Sequence, residues 1–378
     1  MIRPGPRNAL TDVAGLLVGS AEDHGASTGV TVVLPERAAL AAVDVRGGAA
    51  GTINTDALRP GGLIREVHGI VLSGGSAYGL EAATGLMSWL AARGRGFTGW
   101  GPCIPVVTGA ILFDLLNGGD KGWGDLPPYR RLAQAAADAA GTELALGNAG
   151  AGFGAAAGSV KGGLGTASAV DEATGVTIGA LVAVNSVGSI TMPGSPTMWG
   201  WHLEQNGELG HQRPPRDPTG HAFETKRGLG MNTTIGVVAT DATLDQAELQ
   251  RFAVMGQGGY ACAIRPIWTP LDGDTLFALA TGAQPLADRD NGLLRLGAIA
   301  ADVVARAVMR GVYEAQDLGD MVAYRSRWPS GLSWKFVGRN GRRWRECRRR
   351  SCSTRTASDR RWSRRYRRGS LARVLRCW

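Results

Sequence analysis

Apolar positions along the chain follow two patterns, short unbroken runs and repeats at helical spacing. Residues 30–34 (Val-Thr-Val-Val-Leu) and 70–72 (Ile-Val-Leu) are apolar runs bounded by Gly, Pro or Ser, the signature of buried strands. Residues 176–187 form a longer apolar run, which predicts a central strand interrupted at Asn185. Over 81–93, Leu86, Met87, Trp89 and Leu90 recur at helical spacing and Gly94 follows, so a helix is expected there. A second, Ala-rich helix is expected over 129–140.

The clearest unit lies further on. Residues 235–240 read as a strand, and Thr243 with Gln246 reads as a capping box that opens a helix. That helix is expected to end near Met255, with Gly256 as its stop. Another strand, 275–279, follows Asp272-Gly273-Asp274. A last helix over 293–310 would bury Leu296, Ile299, Val303, Val304 and Val308. Strands and helices mixed in this way predict an α/β protein whose sheets are covered by helices.

Length and composition narrow the picture. At 378 residues the chain can bury a large core, as two domains or one large one. Its 57 glycines follow no three-residue period, so they mark tight turns and close packing, not collagen. No segment reaches the roughly 18 to 20 uninterrupted apolar residues of a membrane span. Met1 to Asn8 lacks the apolar core of a secretion signal, so a cytoplasmic protein is expected.

The net charge of +9 is unevenly spread. Residues 331–378 carry 17 Lys+Arg against 2 Asp+Glu, while residues 1–330 carry 24 against 30. The body is mildly acidic and the tail strongly basic. With Arg342, Arg343, Arg348, Arg349 and Arg350 interleaved with Trp344, the tail could tether nucleic acid by neutralising phosphate and stacking on bases. Its apolar residues have neither helical nor strand period, and it carries no motif. A disordered or aberrant segment, such as the product of a shifted reading frame, is therefore favoured, and nucleic acid is not an expected partner. The five cysteines form no Cys-x-x-Cys pair, which argues against zinc. In a reducing cytoplasm Cys103 and Cys262 are expected as plain core residues.

Familiar catalytic signatures are missing. Gly74-Gly75-Ser76-Ala77-Tyr78 fails the nucleophile elbow at its last position, and residues 150–155 miss the dinucleotide fingerprint at theirs. The five histidines lack His-Glu-x-x-His spacing. What remains is a set of polar residues at strand ends. Thr233 stands at the start of a strand after the Gly-rich stretch 227–231, and a Thr freed as a chain terminus carries its own base, an α-amine with a pKa of about 8. Taken alone, it also reads as an ordinary loop residue. Asp272 and Asp274 are either a polar turn or a carboxylate pair that orients a nucleophile. Lys161 is either a solvated loop lysine or a cation beside a developing oxyanion. Asn185, if buried, needs partners and could donate its amide to such an oxyanion.

In this order the segments resemble the L-aminopeptidase D-esterase/amidase (DmpA-like) family, which includes β-peptidyl aminopeptidases and the nylon-oligomer hydrolase. The matching stretches are Leu10-Thr-Asp-Val13, Val43-Asp-Val-Arg-Gly-Gly48, Leu72-Ser-Gly-Gly-Ser-Ala-Tyr-Gly-Leu80, Lys161-Gly-Gly-Leu-Gly-Thr-Ala-Ser168, Asn232-Thr-Thr-Ile-Gly-Val-Val-Ala-Thr240 and Leu271-Asp-Gly-Asp-Thr-Leu-Phe-Ala278. The resemblance implies a four-layer αββα sandwich, layered like N-terminal-nucleophile hydrolases but connected differently. It implies one hydrolase domain over 1–330, self-cleaved between Asn232 and Thr233, whose two pieces stay together and assemble as a homo-oligomer of such pairs. It places the nucleophile on Thr233, the polar pair on Asp272 and Asp274 and the oxyanion-side Asn on Asn185, with a peptide or amide substrate and no metal or organic cofactor. Two positions depart from the pattern. The Lys of the nylon-oligomer branch aligns with Ser159, two residues before Lys161, and the Tyr of several members falls on Phe113. Rival readings are an uncleaved amidase or acyltransferase with a histidine base, and a nucleic-acid binder driven by the tail.

Overall fold

The unbroken apolar runs become the inner strands of two stacked sheets. In the computed structural model, which describes residues 1–99, 101–214, 232–286 and 288–329, these residues belong to one unit, Met1–Gly331. The second unit, Leu332–Trp378, and with it the basic tail, lies outside the described residues.

The larger sheet has seven strands in the order Ile2–Arg3, Gly163–Asp171, Thr177–Asn185, Thr233–Ala242, Thr275–Gln284, Ala39–Val45, Glu66–Val67. Neighbours are antiparallel except Thr233–Ala242 with Thr275–Gln284. The smaller sheet runs Leu16–Asp23, Thr28–Pro35, Gly69–Ser73, Val107–Ile111, Thr52–Ile53, with one parallel pair, Gly69–Ser73 with Val107–Ile111. A parallel pair needs a crossover, and helices lie within both: Glu81–Ala91 in the small sheet, Gln246–Gly256 and Gly258–Ala263 in the large one.

Three apolar clusters fill the three spaces between layers. Helices Glu81–Ala91 and Tyr129–Asp138 bury Leu86, Leu90, Leu132 and Ala136 against Val30, Val32 and Val71 of the small sheet. Between the sheets lie Val33, Ile70 and Leu72 from one side and Leu181, Ile235, Val237 and Phe277 from the other. Helix Arg289–Tyr313 packs Val303, Val304 and Val308 with Val182, Val184 and Val238 on the outer face of the large sheet. Strand residues alternate between the last two clusters, so both faces of each inner strand are buried and the sequence shows a run in place of alternation. The layering is α, β, β, α.

Close packing accounts for part of the glycine content. A Cβ at Gly163 would come 2.2 Å from the Gly311 carbonyl oxygen, and one at Gly165 would come 2.0 Å from that of Ala307. Any side chain there would lift the long helix off its sheet.

Several expectations are corrected. The helix over 246–256 is capped by Asp245, not Thr243: Asp245 accepts from the Glu248 N–H at 2.8 Å and Glu248 accepts from the Asp245 N–H at 2.8 Å. Asp-x-x-Glu brings an ionised acceptor to each donor, leaving Thr243 to donate to Gly282 O and Gln246 to donate to Ala41 O and Leu58 O. Gly256 ends that helix from inside it, and the next short helix starts at Gly258. The last helix is longer than expected, Arg289–Tyr313. Cys262 is exposed and Cys103 half-buried, so neither is a core residue. Cys262 sits on the outward side of a surface helix, a position its type alone does not disclose. The stretch 227–231 and His221 lie outside the described residues.

Candidate active site

Strand period places Thr233. Ile235, Val237 and Ala239 line the space between the sheets, and Thr233 continues that row at the strand's first residue. On the antiparallel neighbour, Leu181 and Ala183 line the same space and Asn185 follows them at the strand's last residue. The register pairs Asn185 directly with Thr233, although 48 positions separate them in sequence. Both are buried. The Thr233 hydroxyl donates to the Asn232 carbonyl oxygen at 2.5 Å, so it lies against the bond that self-cleavage would break. Asn185 is held at both ends of its amide: Oδ1 accepts from the Ala156 N–H at 2.9 Å and Nδ2 donates to the Phe113 carbonyl at 3.0 Å.

Asp272 and Asp274 sit at the mouth of the parallel neighbour, Thr275–Gln284, both with no exposed surface. Asp274 Oδ1 accepts from the Thr234 N–H at 2.7 Å and Oδ2 from the Trp268 N–H at 3.1 Å. Trp268 takes the left-handed conformation, φ 55°, which is strained for a side chain of that size and marks a built site. Asp272 accepts from the Val187 N–H at 3.2 Å, the Thr269 N–H at 3.1 Å and the Thr269 hydroxyl at 2.5 Å. The pair therefore grips backbone from three segments around Thr233. Asp274 holds the amide next to Thr233, while Asp272 ties the turn to the segment after Asn185.

Burial raises the pKa of both carboxyls, and for Asp274 the charge of Asp272 adds to burial and takes it to about 7. This fixes the sign of a pH effect. The folded state holds a proton on Asp274 that the unfolded chain, at about pKa 4, has lost. Its contribution is fully present below about pH 4 and is lost as pH rises to about 7. Denaturant melts at pH 4.5 and 8 of a chain locked uncut by Thr233→Ala should show this loss, on the order of 2 kcal/mol. Adding Asp274→Asn should remove most of it, and an unchanged difference would rule out Asp274 as its source.

Lys161 is not a solvated loop residue. Its ammonium is buried and donates to the Gly152 and Gly162 carbonyls at 3.0 and 2.9 Å, and burial lowers its pKa to about 7 against the opposing charge of Asp114. Its strand partner Ala156 is the residue that donates to Asn185 Oδ1, so the backbone of the Lys161 strand is linked to Asn185 through one pairing. Ser159 is exposed, and its hydroxyl accepts from Arg327 at 2.6 Å, so the buried cation comes from 161. Phe113 serves through its carbonyl, a contact independent of its side chain.

Among the described residues, no histidine bonds to Thr233, Asn185, Asp272 or Asp274; His68, the half-buried one, accepts from the Val106 N–H. Nor do three His, Cys, Asp or Glu side chains among them converge as metal ligands. No helix of the described residues is long and apolar enough to cross a membrane. The residues that hold the site carry no signal in the sequence: Trp268, Val187 and Ala156 act through backbone N–H groups, and Thr269 through its N–H and its hydroxyl. Gly273 is the one with a visible signal, a glycine between two buried acids.

Two stacked sheets between helix layers, with a hydroxyl at the start of an inner strand, define a hydrolase of the N-terminal-nucleophile layering. The chain belongs to peptidase family S58, whose model matches residues 8–323, and it is a hydrolase of amide bonds. An uncharacterized aminopeptidase of Mycobacterium tuberculosis is 41% identical over 348 residues, covering 86% of this chain and 99% of that one. A 6-aminohexanoate-oligomer endohydrolase of Paenarthrobacter ureafaciens is 31% identical over 312 residues, covering 79% and 82%. The fold is shared with a beta-aminopeptidase of Burkholderia sp. (TM-score 0.65, 24% identity, 86% of this chain and 93% of that one). It is shared as well with the L-aminopeptidase D-Ala-esterase/amidase of Ochrobactrum anthropi, a variant of the Ntn hydrolase fold (TM-score 0.63, 24% identity, 84% and 89%).

Proposed function

We propose that the chain cuts itself between Asn232 and Thr233 and then hydrolyses short peptides or aminoacyl amides with Thr233 as nucleophile. The observation that carries this reading is the Thr233 hydroxyl lying 2.5 Å from the carbonyl oxygen of its own preceding peptide bond. In the cut protein the freed α-amine of Thr233 takes the hydroxyl proton, and Oγ1 attacks the substrate carbonyl to give an acyl-enzyme that water releases. Asn185 faces Thr233 across the register and donates to the oxyanion, and buried Lys161 supports it through the pairing with Ala156. Asp274 and Asp272 fix the backbone on which Thr233 rides. The relatives named as aminopeptidases and as an oligomer endohydrolase support an amide substrate of this size.

The two pieces would stay together. The cut falls between Thr177–Asn185 and Thr233–Ala242, which pair from Ile178↔Thr240 to Asn185↔Thr233. Intact mass of purified protein tests the reading: pieces of 1–232 and 233 onward are expected, and a single whole chain in active protein overturns it. A panel of chromogenic aminoacyl amides identifies the substrate, and light scattering checks assembly into a homo-oligomer of cut pairs.

The hydrolase is expected to need nothing beyond residue 330, because the family match ends at residue 323. Deleting 331–378 should leave amide hydrolysis within about twofold, since every proposed site residue precedes Thr275. Loss of hydrolysis on truncation would assign the tail a part in the enzyme.

A further inference from the structure

The self-cleavage step needs an oxyanion donor of its own, and the site contains one that is not Asn185. The Asn232 carbonyl oxygen accepts the Gly273 N–H at 2.9 Å, while the Thr233 hydroxyl lies 2.5 Å from the same oxygen. Asn185 has its amide oxygen on the Ala156 N–H, and its amide nitrogen donates to the Phe113 carbonyl. We infer that the backbone N–H of Gly273 stabilises the oxyanion of self-cleavage, leaving Asn185 to the oxyanion of substrate turnover. The inference rests on the self-cleavage reading above.

An N–H bonded to a carbonyl beside a strand can be plain ladder, and here it continues the parallel pairing of Ile235 with Thr275 through the bridge between Asn232 and Asp272. Three features go beyond that. The peptide carrying this N–H is clamped, because both flanking carboxylates are bonded through each oxygen to Val187, Thr269, Thr234 and Trp268. Gly47 also presses on it, as a Cβ there would come 2.3 Å from Asp272 O and from Asp274 N. The residue must itself be bare, since a Cβ at 273 would come 2.8 Å from both Thr233 Oγ1 and Ala49 O. On the other side, the Asn232 N–H donates to Leu271 O at 2.9 Å, so Asn232 is held through both of its backbone polar groups. A donor fixed before charge develops requires no reorganisation during the reaction.

Thr233 Oγ1 bonds to the Asn232 carbonyl carbon, and the oxygen takes up negative charge against the Gly273 N–H. The C–N bond to Thr233 then breaks, the hydroxyl proton ends on the Thr233 nitrogen, and an ester links Asn232 to Oγ1. Water adds to the ester carbon, giving the Asn232 carboxylate and restoring the hydroxyl.

The test removes the N–H without adding a side chain. Glycolic acid introduced at position 273 by nonsense suppression replaces that amide by an ester in the full chain, and self-cleavage is followed on denaturing gels. A second ester, at Gly236 inside the strand that Thr233 opens, controls for the loss of a ladder bond. Cleavage is expected to slow about 10²- to 10³-fold for the 273 ester and to stay within roughly threefold of wild type for the 236 ester. Wild-type speed in the 273 ester, or equal slowing in both, overturns the inference. A measurement on the natural backbone stands beside it: the Thr233→Ala chain, kept whole, should show a scalar coupling across the hydrogen bond from Gly273 ¹⁵N to Asn232 ¹³C′. Its absence overturns the inference as well. A wild-type chain that never cleaves overturns the self-cleavage reading itself, and this is seen without any variant.

Discussion

Thr233→Ala is expected to yield a single chain of 39.5 kDa that neither cuts itself nor hydrolyses amides, with turnover at least about 10⁴-fold below wild type. Two losses combine in this variant. Removing Oγ1 removes the attacking atom in both reactions, and the failure of the first leaves residue 233 without the α-amine that serves as base in the second. The change should be gentle on the fold, because the hydroxyl's partner is the adjacent carbonyl, which keeps the Gly273 N–H. Thr233→Ser, which preserves the hydroxyl, is expected to restore both cleavage and turnover. Denaturing gels and a chromogenic amide assay check all three proteins side by side. Undiminished hydrolysis by Thr233→Ala would hand the chemistry to another residue and end the N-terminal-nucleophile reading.

Arg306→Met is expected to cost about 3 to 5 kcal/mol of stability, the largest loss foreseen for a residue outside the site. Arg306 lies in the middle of the long helix, its side chain 1% exposed, and bonds Glu208 through Nε at 2.6 Å and Nη2 at 2.8 Å. It also donates to Ser168 O at 2.9 Å and Asn8 Oδ1 at 2.9 Å. Methionine fills much of the volume but leaves Glu208, 8% exposed, with Arg310 at 3.5 Å, the Asn8 amide and the Gln205 N–H as polar company. Glu208 precedes the proposed cut and Arg306 follows it, so in the cut protein this ion pair would join the two pieces. Urea melts of the uncut Thr233→Ala chain, with and without Arg306→Met, give the cost. A loss under about 1 kcal/mol would mean that the pair is solvated enough to be dispensable.

Much of the layering could be read before any coordinates. Runs such as 178–184 and 235–239 carry no polar side chain because both faces of an inner strand are buried, and the helix over 293–310 shows helical spacing in its first half, where Leu296, Ile299 and Ala300 turn inward. Element ends were read less well. The cap at Asp245 won over Thr243 because two overlapping capping signals compete and only the packed helix decides which donors are free. Residue type predicts a core position for Cys262, while the helix face it occupies is set by Gly259, Tyr260 and Ala263 turning inward.

Thr233 itself could be read as a hydroxyl at a strand start, and its importance came from the company of motifs around it. The sequence by itself determined the chemical types, namely one hydroxyl after a Gly-rich stretch, two acids flanking a glycine, and one amide inside an apolar run. Only the tertiary structure decided who touches whom. Sheet register set Asn185 opposite Thr233, desolvation between the layers raised Asp274 to about pH 7, and strand pairing laid the Gly273 N–H on the Asn232 carbonyl. The reason is physical: hydrogen-bond partners and local dielectric belong to the packed chain, and most of the groups that hold this site are backbone amides and carbonyls that every residue carries.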